Sequence, residues 1–234
     1  MIFLIILAFF LSIFWYRNKL KLEKLRAESN MNKYRLQGLQ NQMNPHFIFN
    51  SMSTIQNLIL NNDSEHAMDF ISDFSALMRT MLNNARNEEI SLENELKFIK
   101  NYIDLEQTRY QNSFEVQYQI NIPEDELEEI QIPTMMIQPI LENAIKHGVS
   151  NLKNRKGVIV INLSLIEQHK YLKISISDNG IGNTSEANIS SKPQSTAILV
   201  IQERLKLYEK DKRQGHYRFE FLSKGAQVEL VLPI

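Results

Sequence analysis

The sequence contains no cysteine, which excludes a disulfide framework, a thiol nucleophile and every cysteine-bearing zinc site. Net charge is nearly as scarce. The 26 Lys+Arg and 27 Asp+Glu leave a balance of -1, so no global field favours a polyanion, and direct binding of nucleic acid is not expected. Glycine occurs seven times and proline six times in 234 residues, far below a collagen-like composition. The hydrophobic share of 43% and charged share of 23% are those of an ordinary folded chain, which excludes wholesale disorder and a polytopic transporter. The length suits one or two domains with a real core.

Against this even background one run stands out. Residues 2–16, IFLIILAFFLSIFWY, hold a single polar residue, Ser12. As a helix the run falls a little short of a hydrocarbon core of about 30 Å, and Trp15 and Tyr16 end it where an aromatic belt would lie. Arg17, Lys19, Lys21, Lys24 and Arg26 follow, opposed only by Glu23. The excess of cations places the rest of the chain in the cytoplasm, giving a single-pass membrane protein. A cleaved signal peptide is not indicated, because a basic n-region and a small-residue cleavage site are both missing. The alternative is a buried core helix, which the absence of an amphipathic face disfavours. With Met1 alone ahead of the run, the expectation is a signal sensed in or near the membrane, or a chain shortened at its N-terminus.

Residues 17–43 read as a cytoplasmic helical linker. Leu22, Leu25, Ser29, Asn32, Leu36, Leu39 and Met43 fall at a/d spacing, as in an imperfect coiled coil or an amphipathic helix packed on its own domain. Residues 44–110 read as helices, with segments 46–60 and 65–86 joined by the polar turn Asn61-Asn62-Asp63-Ser64. Ser64 is the candidate N-cap, and a third helix over 92–110 starts after Ser91. Paired between two copies, such a hairpin makes a four-helix bundle. From Phe114 the period changes to two. Strands are expected at 114–122, 159–165, 172–176, 217–221 and 226–232, the last two joined by a turn at Lys224-Gly225. Helices are expected at 133–148, with an irregularity at Pro139, and at 197–210, with a mobile loop over 179–196. Residues 111–234 thus read as an α/β sandwich and the whole chain as α+β.

Three groups of residues point to chemistry. In Gln42-Met43-Asn44-Pro45-His46-Phe47-Ile48-Phe49-Asn50, Pro45 is a poor choice for helix interior, where proline costs about 3 kcal/mol. An imidazole with an ordinary pKa of about 6.5 is mostly neutral at cytoplasmic pH and can act as a nucleophile. Asn50, one turn on from His46, could fix the ring tautomer. In Gln138–Gly148, Glu142 and Asn143 are hard-oxygen donors suited to Mg²⁺, and Lys146 and His147 add positive charge at phosphate distance. In Ser177-Asp178-Asn179-Gly180-Ile181-Gly182, an Asp at a strand end can accept from the amine of a purine. Gly180 and Gly182 would let the backbone approach the ring.

In this order and spacing the motifs resemble those of LytS/YehU-type sensor histidine kinases of two-component systems. The resemblance runs from about residue 36 to the C-terminus. It takes in Asn44–Ser51, Arg79, Leu92–Leu96, Tyr102, Glu106, Arg109, Ile132-Pro133, Gln138–Gly148 and Asp178–Gly182. It implies that His46 is the phosphoacceptor, that Asn143 binds Mg²⁺ with ATP, that Lys146 and His147 lie near the phosphates and that Asp178 reads adenine. It also implies a Bergerat-type ATP-binding sandwich, a homodimer, and a response-regulator partner of the LytTR type whose aspartate receives the phosphoryl group. One departure is plain. The family's second glycine box falls here at Ser195 and Ala197, upstream of Glu203-Arg204-Leu205, so bare-amide cradling of phosphate is weakened. The alternatives are a catalytically weak dimeric scaffold or phosphatase-like partner of the same fold, and a plain Bergerat-fold ATPase that uses Glu142 to activate water.

Overall fold

The computed structural model describes residues 45–150, 152, 155–182, 201–202, 204–205, 208–210 and 213–234; the side chains of residues 45, 46, 209 and 210 are not among what it describes. The expected membrane helix 1–16, the linker 17–43, most of the loop 179–196 and the worn glycine box at Ser195 and Ala197 lie outside the described residues. Among the described residues no helix is long and apolar enough to cross a membrane. Tertiary contacts divide the chain into two compact units, residues 1–53 and 54–234.

Helix α1 is described from Pro45 and runs to Leu60. A tight polar turn follows, in which Asp63 N–H bonds the Leu58 carbonyl at 2.9 Å and Asn62 takes a left-handed φ of 57°. Helix α2, Ser64–Asn84, is capped by Asp63 rather than by Ser64. The Asp63 carboxylate accepts from His66 N–H at 3.4 Å, and His66 Nδ1 lies 2.7 Å from the same oxygen. An Asp one residue earlier reaches the third N–H of the helix as well as Ser64 would have done, and adds charge at the positive helix end. Ala67, Phe70, Leu77 and Met81 form the buried stripe of α2, which packs against helix α3, Leu92–Arg109. Ser91 caps α3 by accepting from Asn94 N–H at 3.3 Å, as the sequence predicts.

Strand β1 (Glu89–Ser91) and strand β3 (Gln131–Pro133) pair antiparallel as a short ribbon that no periodicity announces. The main sheet has five strands. These are β2 (Phe114–Asn121), β4 (Gly157–Ile166), β5 (Tyr171–Asp178), β8 (His216–Phe221) and β9 (Ala226–Pro233), in the order β2-β4-β5-β9-β8. Strand β2 runs parallel to β4 and the other pairs are antiparallel, so the sheet is mixed. The alternation read from the sequence is one-sided burial. Ile159, Ile161 and Leu163 of β4 register against Asp178, Ile176 and Ile174 of β5, and the apolar members of this row are buried. Each such Ile or Leu contributes about 1.5–3 kcal/mol relative to an exposed one.

Two expectations need correction. The helix expected over 133–148 begins only at Gln138: β3 ends at Pro133, and a turn intervenes in which Met135 has φ 57°. Its irregularity lies at residues 144–149 rather than at Pro139, which sits in the first turn where its missing N–H is not needed. The helix expected over 197–210 does not reach its predicted end. Residues 201–202 and 204–205 are helical, but β6 (Glu209–Lys210) already pairs with β7 (Arg213–Gln214). The strand expected at 217–221 is present as β8. This strand is the sheet edge, and Phe219 and Phe221 stay exposed with their rings in edge contact at 4.8 Å.

Candidate functional site

Helix α4, Gln138–Asn143, gives way at Ala144 to a widened π-helical turn, Ala144–Val149. Ser150 N–H reaches back five residues to the Ile145 carbonyl at 2.9 Å. Such a turn inserts a residue and is common at functional sites. The packing here explains it. Ile140, Leu141, Ile145 and Val149 are all buried, and the π turn packs on β4 and β5. Glu142 and Asn143 are left half-buried, and Lys146 and His147 are exposed.

The turn ends at Gly148, which touches the third motif. A Cβ on Gly148 would stand 2.7 Å from the Asp178 carboxyl carbon and Oδ1. Asp178 closes β5 and is 9% exposed. Its Oδ1 accepts from Gly180 N–H at 2.8 Å, and Ala226 N–H also bonds the carboxyl. Burial raises the Asp178 pKa, and these two N–H bonds draw it back. A Cβ on Gly180 would lie 2.5 Å from Asp178 Oδ1 and 2.5 Å from the Gly148 carbonyl oxygen. Gly182 has φ +69° and fits against the 222–225 turn, with Gly225 N 2.9 Å from where its Cβ would be. Gly225, at φ +83°, lies so close to the Asp178 carbonyl that no side chain is accommodated.

The 179–180 backbone is held from outside as well. Asn179 Oδ1 accepts from Val158 N–H at 2.8 Å, and its Nδ2 donates to the Lys156 carbonyl at 3.2 Å. Arg155 Nη2 donates to the carbonyl oxygens of Asn179 and Gly180, the latter at 2.7 Å. Asn179 was visible as a turn-forming side chain after a strand, whereas Arg155 carried no signal, since its partners lie 24 and 25 positions away.

On the inner side stands a buried polar group of α3. The Tyr102 hydroxyl bonds Glu106, and Arg109 pairs with Glu106 through Nε at 3.0 Å and through Nη2. Burial raises the Glu106 carboxyl in spite of Arg109, while Arg109, though desolvated too, is held above its ordinary value by Glu106. Tyr102 is pushed well above the phenol range by burial and by the charges of Glu106 and Glu142. The field of Glu142 on Tyr102 ties this trio to α4.

The fold therefore gathers Glu142, Asn143, Lys146 and His147 on one segment. That segment ends against Asp178, with Gly180 and Gly182 on the adjoining turn. His46 and Asn50 lie on α1 in the first unit, Asn50 half-buried one turn after His46. Among the described residues no three His, Asp or Glu side chains converge to hold a metal by themselves.

Residues 34–114 match the family model "Histidine kinase". The chain is 41% identical over 147 residues to Sensor protein LytS of Staphylococcus epidermidis, a stretch covering 63% of this chain and 24% of that protein. It is 31% identical over 206 residues to Sensor protein LytS of Streptococcus mutans, covering 85% and 34%. To the sensor histidine kinase/phosphatase LytS of Staphylococcus aureus it is 34% identical over 169 residues, covering 71% and 28%. The chain thus spans about a quarter to a third of the length of the curated relatives it matches. A histidine kinase domain from the Erythrobacter litoralis EL346 blue-light activated histidine kinase superposes with a TM-score of 0.47 at 13% identity, over 85% of this chain and 93% of that one. By its sequence matches the chain is a histidine-kinase relative. Its curated matches are sensor proteins of the LytS type, in line with its motifs.

Proposed function

We propose that this chain is the signalling core of a membrane-anchored sensor histidine kinase: it binds Mg·ATP in the 54–234 unit, phosphorylates its own His46 and passes the phosphoryl group to an aspartate of a response regulator. The observation that carries the reading is the contact of Gly148 with the Asp178 carboxyl. It joins the segment bearing Glu142, Asn143, Lys146 and His147 to the strand-end Asp and its glycine turn.

The residues fit the nucleotide. A buried carboxylate walled by Gly148, Gly180 and Gly225 leaves an acceptor for an exocyclic amine and bare backbone for a flat ring. Asn143 and Glu142 are the donors for Mg²⁺, which usually keeps phosphate and water in its remaining positions. When bound, Mg²⁺ neutralises charge on the phosphates. Lys146 and His147 add charge from the exposed π turn. His46 takes up the γ-phosphoryl group: a ring nitrogen–phosphorus bond forms as the γ-phosphorus–oxygen bond to ADP breaks, and Asn50 holds the ring.

The finer parts rest on the same reading. Residues 1–16 are the membrane anchor, 17–43 the linker, 44–110 the dimerisation and phosphoacceptor helices and 111–234 the ATP-binding domain of Bergerat type. Exposed Ile59, Leu60, Met68, Ile71 and Leu82 on α1 and α2 favour a homodimer formed through these helices. The receiving regulator is of the LytTR type. Incubating the chain with γ-labelled ATP and Mg²⁺ tests the proposal. An acid-labile, base-stable label on His46 is expected. ATP binding without label would instead indicate a scaffold or phosphatase-like partner, and phosphate release without label a plain ATPase.

A further inference from the structure

Helix α4 carries Glu142 and Asn143, yet nothing in its own first turn caps it. Ile137 precedes it, and Thr134 Oγ1 is spent on the Asn87 carbonyl at 3.3 Å. Helix-start N–H groups buried without partners are costly. Here the partner comes from 42 positions upstream. Glu95 on α3 accepts from Ile137 N–H at 3.2 Å, and the N–H groups of Met135 and Met136 also bond its carboxyl. The left-handed φ of Met135 curls the three donors around one point, the concave backbone arrangement that binds anions.

Glu95 is wholly buried, and its Oε2 has no hydrogen-bond partner among the described residues. It shares the apolar stripe of α3 with Leu92, Leu96 and Ile99, where a leucine would pack without desolvating a carboxyl. A third element meets the same point. Arg204 Nη1 donates to the Thr134 carbonyl at 2.6 Å, and its charge acts on Glu95. Burial lowers the guanidinium pKa and Glu95 pulls it back.

We propose that Glu95, with Arg204, is a positioning residue for the nucleotide helix: its carboxyl anchors the start of α4 and so sets where Glu142 and Asn143 meet Mg·ATP. The inference rests on the nucleotide reading above. With six residues α4 is about 9 Å long, too short to absorb a shift at one end before the other.

The anchor is also sensitive to pH. Burial pushes the Glu95 carboxyl up to about 7, against the pull of the three N–H bonds and Arg204. Met135, Met136 and Ile137 from the turn, and Leu92, Leu96 and Ile99 from α3, bring no further charge. The anchored state holds the proton more tightly than an opened, hydrated one, where a pKa near the ordinary 4.5 applies. Linkage then makes opening of α4 about tenfold more favourable at pH 8 than at pH 6.

The test uses the full chain and two readouts, amide hydrogen exchange of residues 138–143 without nucleotide and Mg·ATP affinity by calorimetry. Glu95→Ala is expected to raise exchange at 138–143 at least tenfold with β4 and β5 unchanged, and to weaken Mg·ATP about tenfold or more. Glu95→Gln, which keeps an accepting oxygen, should restore affinity to within about threefold of wild type and lose the pH dependence of opening. Should Glu95→Ala fail to fold, Arg204→Met and Glu95→Gln decide by the same readouts: faster exchange at 138–143 in the first and a flat pH profile in the second support the anchor. Unchanged exchange at 138–143, or unchanged Mg·ATP affinity with faster exchange, makes Glu95 a packing residue and overturns the proposal. A wild-type chain that takes up no nucleotide would instead overturn the nucleotide reading, with exchange at 138–143 still deciding whether Glu95 anchors the helix.

Discussion

Replacing Gly148 with alanine perturbs the proposed site at one point. The added Cβ would meet the Asp178 carboxyl carbon and Oδ1 at 2.7 Å and Oδ2 at 3.1 Å. Ordinary contact begins near 3.5 Å, so the carboxyl must retreat by roughly 0.8 Å. A long surface side chain could do this at small cost, but Asp178 has one carbon between backbone and carboxyl and is 9% exposed. Its retreat breaks the 2.8 Å bond from Gly180 N–H and disturbs the one from Ala226. Losing a hydrogen bond to a charged acceptor costs about 1.5–3 kcal/mol, and overpacking about 1–3 kcal/mol. If Asp178 reads adenine, a comparable loss appears in binding, roughly 10- to 100-fold in the Mg·ATP dissociation constant. The loss should be equal for ATP and ADP, since the damage is at the base rather than at the phosphates. Calorimetric titration of both nucleotides measures it, and a denaturant melt of the free protein gives the stability part. Combining Gly148→Ala with Asp178→Asn should add little, because both act on the same carboxylate. Wild-type affinity in Gly148→Ala, or a loss confined to ATP, would refute the assignment of Asp178 to the base.

Three further outcomes are expected. His46→Gln should abolish phosphorylation while leaving Mg·ATP affinity within about twofold, whereas His66→Gln should leave labelling intact, since His66 serves the α2 cap beside Asp63; mass spectrometry of the labelled chain decides. Asn143→Asp should weaken Mg·ATP and stop labelling while shifting unfolding by less than about 1 kcal/mol, because its apolar neighbours already supply the packing; a domain that unfolds would make Asn143 structural. Glu95 should make global stability fall as pH rises from about 4.5 towards 7. Its folded pKa of about 7 lies above its ordinary 4.5, so the folded state binds the proton more tightly and loses about 3 kcal/mol of stability over that window. Denaturant midpoints at pH 5 and 7.5 should converge in Glu95→Gln; wild-type midpoints that do not fall would show the carboxyl to be hydrated.

Whatever depends on repetition along the chain was determined by the sequence alone. The period of two in β2, β4 and β5 is readable because one face of each strand is buried, and burial on one face of an extended chain repeats every second residue. The cap of α3 at Ser91 is equally local, a side chain meeting an N–H three residues on. The short ribbon of β1 with β3 left no such trace, since three residues cannot display a period. Nor did the start of α4, where the chain has helix-like apolar spacing but spends residues 131–133 on a strand and 134–137 on a turn held by Glu95. The candidate site divides the same way. Its residue types and their order mark Glu142, Asn143, Asp178, Gly180 and Gly182, but that Gly148 touches Asp178 across 30 positions follows only from the π turn lying over β4 and β5. Clearance for a Cβ, a carboxyl in a backbone nest and an Arg155 clamp on two carbonyls are relations between distant segments. Only the folded chain brings those segments within a few ångströms, so tertiary structure alone decided them.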